Sequence, residues 1–140
     1  MQIQPYLSFE GRCDEAVEFY RSALGAEVQM LMRFKDTPDP SMATSASADK
    51  IAHVALRIGD STVMASDGRC TGKPTFSGVT MSLSMDDDAD AERRFNALGQ
   101  DGQVNMPLAK TFFASKFGML TDKFGVSWMV LSGPQGGKQT

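Results

Sequence analysis

The sequence predicts an α+β fold made of two βαβββ modules, and two features of the chain lead to this prediction. The order strand, helix, three strands occurs twice within 140 residues, and Ala-Leu-Gly closes the helix in both copies, at 23–25 and at 97–99. The predicted strands at 3–9, 52–58 and 79–85 alternate apolar and polar residues at a period of two, as strands with one buried face do. One module alone would leave the second face of its sheet bare. We therefore expect two modules side by side, forming a curved mixed sheet with the helices outside and a concave cleft inside.

The first module is predicted over residues 1–68. Pro5 places its first strand at a sheet edge or start, because proline has no N–H for a ladder hydrogen bond. Asp14 is expected to cap the helix and Gly25 to end it. The last two strands turn at Gly59-Asp60, which are typical turn residues. The predicted elements are a strand at 3–9, a helix at 15–24, a strand at 26–34 and a strand pair within 50–67.

The second module is predicted over residues 77–132. The acidic run 86–88 precedes its helix, where carboxylates favour the positive helix end; a cation site is the alternative. Trp128 is expected in the core under this helix, and the ten methionines are expected to act mostly as adaptable core filler. The predicted elements are a strand at 79–85, a helix at 89–98 and strands at 104–108, 117–122 and 126–131.

Three further segments complete the predicted organisation. Residues 36–49 are rich in Pro, Ser, Thr, Asp and Ala, and they are predicted to form a mobile loop, with a lid over a site as a possible role. Residues 69–76 form the predicted linker, and residues 133–140 a disordered tail. The two modules and the linker make a single domain over 1–132.

Composition limits the function classes. The net charge of -3 and the pI of about 5.1 give no basic surface for phosphate contacts, so we expect no nucleic-acid partner. No apolar run approaches the roughly 20 residues that span a bilayer, so we expect no membrane partner. The N-terminus lacks the pattern of a signal peptide, which favours a cytoplasmic location. Cys13 and Cys70 are expected to be reduced thiols in that compartment.

The strand at 50–58 carries the most informative side chains. Ala52, Val54, Leu56 and Ile58 share one face, and His53, Ala55 and Arg57 share the other. His53, the only histidine, is the candidate catalytic residue because imidazole exchanges a proton near neutral pH; a hydrogen-bonded lining role is the alternative. Arg57 can hold a carboxylate or phosphonate through two hydrogen bonds, with an ordinary salt bridge as the alternative.

Polar side chains on the same predicted faces extend this candidate site. Small polar groups recur on the faces that no helix covers, as in clefts that bind small molecules, although a solvated sheet face is the alternative. We therefore predict a small-molecule ligand. The candidate ligand-binding residues on these strands are Gln4, Tyr6, Arg57, Thr80 and Ser82.

The chain resembles the vicinal oxygen chelate superfamily, which includes glyoxalase I, extradiol dioxygenases and the fosfomycin and bleomycin resistance proteins. Within it the chain is most similar to PhnB-like proteins, also labelled 3-demethylubiquinone-9 3-methyltransferase domain proteins. The resemblance implies the paired modules of the glyoxalase/bleomycin resistance fold and a homodimer. It also implies that the aromatic loop Thr111-Phe112-Phe113 lies beside the cleft, with Phe113 as a ligand contact or as packing between modules. The matching stretches are PYLSFEGRCDEAVEFYRSALGAEV (5–28), HVALRIGDSTVMASD (53–67), residues 83–113 and FGMLTDKFGVSWMV (117–130).

The resemblance also places the superfamily's metal-ligand positions near Gln4, Met64, Thr80 and Met129. Two thioethers and a hydroxyl are poor ligands for a hard divalent ion, so we expect neither the inherited metal nor another cofactor. The alternative is a new metal site with His53 as its imidazole ligand, assisted by Glu27 or Asp67.

Three functional hypotheses remain open from the sequence. The first is a metal-free protein that binds a small anionic molecule. The second is a lyase- or transferase-type enzyme of the same fold, using a new metal or His53 as general acid or base. The third is an interaction protein with a vestigial cleft. The methyltransferase label finds no support in the residues, because the chain has no glycine-rich strand-to-helix turn for an adenosyl-type methyl donor.

Overall fold

The computed structural model describes residues 1–38 and 47–133 of the chain. The chain divides into two compact units, Met1–Thr75 and Phe76–Thr140, and this boundary falls inside the stretch predicted as the linker. Each unit has the predicted order of one strand, one helix and three strands. Most of the predicted loop, at 39–46, and the predicted tail from 134 onward lie outside the described residues.

The first unit is a four-stranded mixed sheet with one helix on one face. The strand order is β1-β4-β3-β2, with β1 and β4 parallel and the other neighbours antiparallel. The β3–β4 hairpin turns at Gly59, whose φ of 59° lies in the left-handed region that glycine adopts readily. The elements are β1 Tyr6–Ser8, α1 Cys13–Leu24, β2 Glu27–Arg33, β3 Ile51–Ile58 and β4 Ser61–Ser66.

The second unit repeats this arrangement. Its strand order is β5-β8-β7-β6, again with the first and last strands of the unit parallel. The repeat predicted from the sequence is therefore confirmed at the level of strand pairing as well as element order. The elements are β5 Thr80–Met85, α2 Asp88–Leu98, β6 Gln103–Ala109, β7 Lys116–Thr121 and β8 Ser127–Ser132.

The core of each unit lies between its helix and one sheet face. In the first unit Val54 and Leu56 of β3 are buried, as are Val17 and Tyr20 of α1. Each fully buried large apolar side chain contributes about 1.5–3 kcal/mol. In the second unit Trp128 is 4% exposed, and its indole Nε1–H donates to Asp122 Oδ2 at 2.9 Å. The prediction that Trp128 belongs to the core is confirmed.

Helix α1 begins earlier than predicted and is not capped by Asp14. It starts at Cys13, and Arg12 at the cap position makes no side-chain capping hydrogen bond. The carboxylate of Asp67, directly after β4, accepts hydrogen bonds from the amides of Gly11 at 2.9 Å and Cys13 at 2.7 Å. A residue distant in sequence thus satisfies donors at the helix start, which short-range capping patterns do not identify.

The acidic run before α2 caps that helix. The side chain of Asp87 accepts a hydrogen bond from the amide of Asp90 at 3.0 Å. Asp88 Oδ1 accepts one from the hydroxyl of Ser132 in β8 at 2.7 Å. Carboxylates at this end are also favoured by the helix dipole. These contacts support the helix-end interpretation of the run rather than a cation site.

Strand β1 is shorter than the predicted strand at 3–9. Ile3 is 97% exposed, and ladder pairing begins only at Tyr6. The carbonyl of Pro5 accepts a hydrogen bond from the amide of Met64 at 3.0 Å, which leads the chain into the strand. In the described part of the chain, no helix has the length and apolar character needed to cross a membrane.

Candidate functional site

The open face of the first sheet, which the helix does not cover, carries the side chains predicted for a ligand site. Residues paired directly across neighbouring strands share a face. One row contains Met64, paired with both Tyr6 and Ala55, and Ala55 is also paired with Met30. A second row pairs Arg57 with Thr62 and Glu27, and a third pairs His53 with Met32.

Tyr6 and His53 form the polar contact of this face. The Tyr6 hydroxyl lies 3.1 Å from His53 Nδ1, and the two ring centroids are 5.5 Å apart. Tyr6 is 51% exposed, so its hydroxyl and ring are accessible to a ligand. When the hydroxyl donates to Nδ1, the neutral imidazole carries its proton on Nε2. The structure thus brings together one predicted ligand-binding residue and the predicted catalytic residue.

Arg57 lies on the same face but four residues farther along β3 than His53. At about 3.3 Å per residue the two positions are about 13 Å apart. Arg57 is exposed, and within residues 1–38 and 47–133 it forms no ion pair, even though Glu27 is its direct cross-strand partner. The salt bridge considered as an alternative from the sequence is therefore not formed within these ranges.

Gln4 is set apart from the paired strands. It is half-buried and precedes the start of β1. The ladder therefore does not hold its side chain on the open face as it holds Tyr6.

The open face of the second sheet contains the remaining predicted strand residues. Thr80 and Ser82 are exposed on β5, where they pair with Ser127 and Met129 of β8. Asn105 on β6 donates a hydrogen bond to the Thr121 hydroxyl at 2.9 Å. Hydroxyl side chains of β5 therefore lie at one edge of this face. Beside them lie the methionines of the neighbouring strands, Met129, Met119 and Met106.

Phe113 contacts this second face through an aromatic neighbour. Its ring centroid lies 5.1 Å from that of Phe117 in β7 and 5.1 Å from that of the fully exposed Phe112, both edge-to-face. Thr111 orders the loop, because its hydroxyl accepts hydrogen bonds from the amides of Phe113 at 3.3 Å and Ala114 at 3.1 Å. Phe117 pairs with Leu131, so the aromatic group is continuous with the apolar part of the sheet.

The prediction that the methionines fill the core is wrong. Among the described residues no methionine belongs to the buried apolar core, and Met30 and Met106 are 44% and 46% exposed. Methionine is flexible and polarizable, and it suits surfaces that adapt to a ligand. A sequence signal existed, since Met64 and Met129 occupy equivalent positions of the two modules. The open-face methionines are Met30, Met32 and Met64 in the first sheet and Met106, Met119 and Met129 in the second.

The residues at the superfamily's metal-ligand positions do not fit a hard divalent ion. An amide, a hydroxyl and two thioethers provide no carboxylate or imidazole. In the ranges that the structure describes, no three His, Cys, Asp or Glu side chains are grouped as metal ligands.

The two carboxylates considered as helpers for a His53 site are also unsuitable. Asp67 is fully buried, and its two oxygens accept three backbone N–H groups. Glu27 lies opposite Arg57, about 13 Å along the strand from His53.

Comparisons with known proteins agree with this architecture. The family model described as 3-demethylubiquinone-9 3-methyltransferase matches residues 1–131. Protein YjdN of Escherichia coli (strain K12) is 36% identical over 138 residues, which cover 93% of this chain and 94% of that protein.

Solved structures are similar over nearly the whole chain. Protein PA1353 from Pseudomonas aeruginosa is 41% identical, with a TM-score of 0.84 and coverage of 96% of this chain and 99% of that one. A PhnB protein from Bacillus cereus, described as a putative 3-demethylubiquinone-9 3-methyltransferase, is 28% identical, with a TM-score of 0.77 and coverage of 94% and 99%.

A more distant solved structure shows the fold alone. The glyoxylase/bleomycin resistance protein/dioxygenase domain from Frankia sp. EAN1pec is 13% identical, has a TM-score of 0.61 and matches 94% of each chain. The family match and the relatives of higher identity show the family, and this distant structure shows the fold. The chain belongs to the 3-demethylubiquinone-9 3-methyltransferase family, whose PhnB-like proteins have the glyoxalase/bleomycin resistance fold.

Proposed function

We propose that this protein binds a small anionic molecule on the open face of its first sheet, without a metal ion. The observation that carries this proposal is the arrangement along β3. His53, Ala55 and Arg57 share one face. The imidazole of His53 and the guanidinium of Arg57 therefore lie on either side of the short Ala55 side chain.

Arg57 is the group that would hold the anion. Its guanidinium is exposed and has no carboxylate partner among the described residues, so an incoming ligand does not have to displace one. Guanidinium binds carboxylate, phosphate or phosphonate through two parallel hydrogen bonds. A hydrogen bond to a charged group contributes about 1.5–3 kcal/mol, which supports selection for anions.

The other end of the ligand would meet Tyr6 and His53. Ala55 leaves space over the sheet, and Met30 and Met64 border it from the neighbouring strands. These side chains suit an apolar body, because thioethers adapt their shape and contribute dispersion contacts. The proposed ligand therefore has an anionic group, a body of several carbon atoms and a polar group at its far end.

Calorimetric titration with ω-hydroxy carboxylates and ω-hydroxyalkyl phosphonates of increasing chain length tests this proposal. We expect saturable binding with an optimum chain length, and a loss of about tenfold or more in affinity for Arg57→Gln. Arg21→Gln is the matched control, since Arg21 is an exposed helix residue paired with Glu18. Equal affinity for all chain lengths and for both variants would refute the proposed arrangement.

The Tyr6–His53 contact also favours a second candidate function, an enzyme of lyase or transferase type. The Tyr6 hydroxyl orients the imidazole, which lies 3.1 Å away and can act as general acid or base. With 2-oxobutanoate in D2O, such an enzyme would exchange the C3 protons faster than buffer, and His53→Gln would abolish the excess rate. Binding without exchange supports the binding protein, and no saturable binding supports an interaction protein.

Oligomeric state is a separate part of the proposal. The homodimer implied by the family resemblance stays a prediction, and light scattering on the full chain measures it directly.

A further inference from the structure

A cavity of about 610 Å³ lies at the start of α1 in the first unit, away from the open sheet face. Its described lining comes from the segments that follow β1, β2 and β4 and that precede β3. Tyr6, His53 and Arg57 are not part of it. It is large enough for a small organic molecule, because ligand pockets commonly measure about 300–1,000 Å³.

The charged side chains around this cavity are mostly cationic. Among the described residues, Arg12, Lys50 and Arg69 line it together with one carboxylate, that of Glu10. Arg12 is paired with Glu15 at 3.1 Å. Lys50 Nζ donates to the carbonyl oxygen of Gly11 at 2.8 Å, and among the described residues neither Lys50 nor Arg69 has a carboxylate within ion-pair distance. With Arg12 set against Glu15 and the charge of Glu10 counted, the described lining keeps one net positive charge.

The carboxylate of Glu10 is engaged by the chain itself. Its oxygens accept hydrogen bonds from the Ser8 hydroxyl and from the backbone amides of Thr71 at 3.2 Å and Arg69 at 3.4 Å. These bonds lower the pKa of Glu10, the Ser8 bond most of all, so the group is ionised near neutral pH. Glu10 therefore fixes the loop that carries Arg69, while its charge is spread over three donors.

Glycines leave the cavity accessible to a ligand. Gly11, Gly68 and Gly72 line it, with φ values of 108°, 56° and 82°. A Cβ on Gly68 would collide with the side chains of Glu10 and Ser8, whereas a Cβ on Gly72 would meet no atom within 4 Å. Glycine is required at position 68 by the packing of Glu10, whereas Gly72 borders open space.

We infer that this cavity is a second binding site, for a small organic anion whose phosphate or carboxylate lies between Lys50 and Arg69. Phe34 in the lining provides an apolar contact for the organic part. The inference does not depend on the ligand proposed for the open sheet face, since the two sites share no residue.

Cys70 provides a local probe of this site. It lies in the cavity lining and is partly accessible, whereas Cys13 is fully buried. Burial, followed by the Asp67 carboxylate, raises the pKa of Cys70, so its thiol is neutral at pH 7 and adds no negative charge. A ligand in the cavity is expected to slow alkylation of Cys70 by iodoacetamide, a neutral reagent.

The test titrates the full chain with phenyl phosphate and, separately, with benzoate. We expect saturable shifts of the amide resonances of Gly11, Gly68 and Gly72, and a matching slowing of Cys70 alkylation. Arg69→Gln is expected to weaken the binding about tenfold or more. Tighter binding of phenyl phosphate identifies a phosphate site, and tighter binding of benzoate a carboxylate site.

Two control variants make the test specific. Lys73→Gln removes a cation from the same loop but outside the lining, and Arg57→Gln alters the open sheet face; both should leave these affinities within about twofold. Arg69 is exposed, so its replacement is compatible with folding. Linear, unsaturable shifts, or equal affinity in Arg69→Gln and Lys73→Gln, would overturn the inference. Loss of binding with Arg57→Gln alone would assign it to the open face instead.

Discussion

The carboxylate of Asp67, which follows β4 in sequence, accepts hydrogen bonds from backbone amides at the start of helix α1. Its Oδ1 accepts the Cys13 amide at 2.7 Å, and its Oδ2 accepts the Ile51 amide, also at 2.7 Å. One fully buried carboxylate thus joins the first helix turn, the start of β3 and the end of β4. In the second module a hydroxyl performs the related task, since Ser132 at the end of β8 donates to Asp88 at the start of α2.

Replacement of Asp67 by alanine should be strongly destabilising. Three backbone N–H groups would lose their acceptor, and two of them, those of Cys13 and Ile51, are buried; each unsatisfied buried group costs about 1–3 kcal/mol. We expect the free energy of unfolding to fall by about 3–5 kcal/mol in urea titrations. Asp60→Ala, in the exposed hairpin turn, is the control and should change it by less than about 0.5 kcal/mol. Similar losses in both variants would contradict the proposed role.

Gly118 in β7 should not tolerate a larger residue. A Cβ there would lie 2.7 Å from Phe95 Cε1 of α2 and 3.0 Å from the carbonyl oxygen of Met106, so both a ring and a backbone atom would have to move. Overpacking of this kind costs about 1–3 kcal/mol, and Gly118→Ala should lower the unfolding free energy by that amount.

Gly99→Ala is the matched control for Gly118→Ala. At Gly99 the nearest atom to an added Cβ is 3.4 Å away, and the backbone conformation is one that alanine adopts freely. Its thermal melt should stay close to that of the unmodified chain. A Gly118→Ala protein as stable as Gly99→Ala would show that α2 does not pack against β7 as described.

Glu10 should make stability depend on pH. The hydrogen bond from Ser8, and then that from the Thr71 amide, lower its pKa in the folded protein below the value of about 4.3 in an unfolded chain. Its contribution is therefore complete above the unfolded value and is lost as pH falls through the folded value. We expect Glu10→Gln to lower stability at pH 7 by less than about 1 kcal/mol, because solvent screens a carboxylate that is largely accessible.

The difference between Glu10→Gln and the unmodified chain should shrink toward zero as pH falls through the lowered pKa of the Glu10 carboxyl group. Thermal melts at several pH values measure it. Glu18→Gln serves as the control because Glu18 is exposed on α1 and makes only a surface ion pair with Arg21. A difference that persists unchanged in acid would mean that the Glu10 charge is not what holds the loop.

The sequence was informative wherever the determining contact is local or periodic. Alternation along 50–58 located β3 and placed His53 and Arg57 on one face, and the turn at Gly59-Asp60 set the hairpin. The cap of α1 was missed because Asp67 lies 54 residues from Cys13. The methionines were misplaced because hydropathy alone does not separate a buried sheet face from an open apolar one. The cavity beside Lys50 and Arg69 was missed because four separate segments build it.

The donors at the inherited metal positions predict that divalent ions will not stabilise this protein. Gln4 and Met64 in the first module, with Thr80 and Met129 in the second, offer no imidazole or carboxylate. An ion bound only by the folded state, at about 100 times its dissociation constant, would add about 2.7 kcal/mol to stability. We therefore expect untagged protein to contain no stoichiometric metal and to melt at the same temperature with Mg²⁺, Mn²⁺, Ni²⁺ or Zn²⁺. A stoichiometric metal in the unmodified chain, lost in His53→Ala, would replace the metal-free proposal with an enzyme that uses a new metal site.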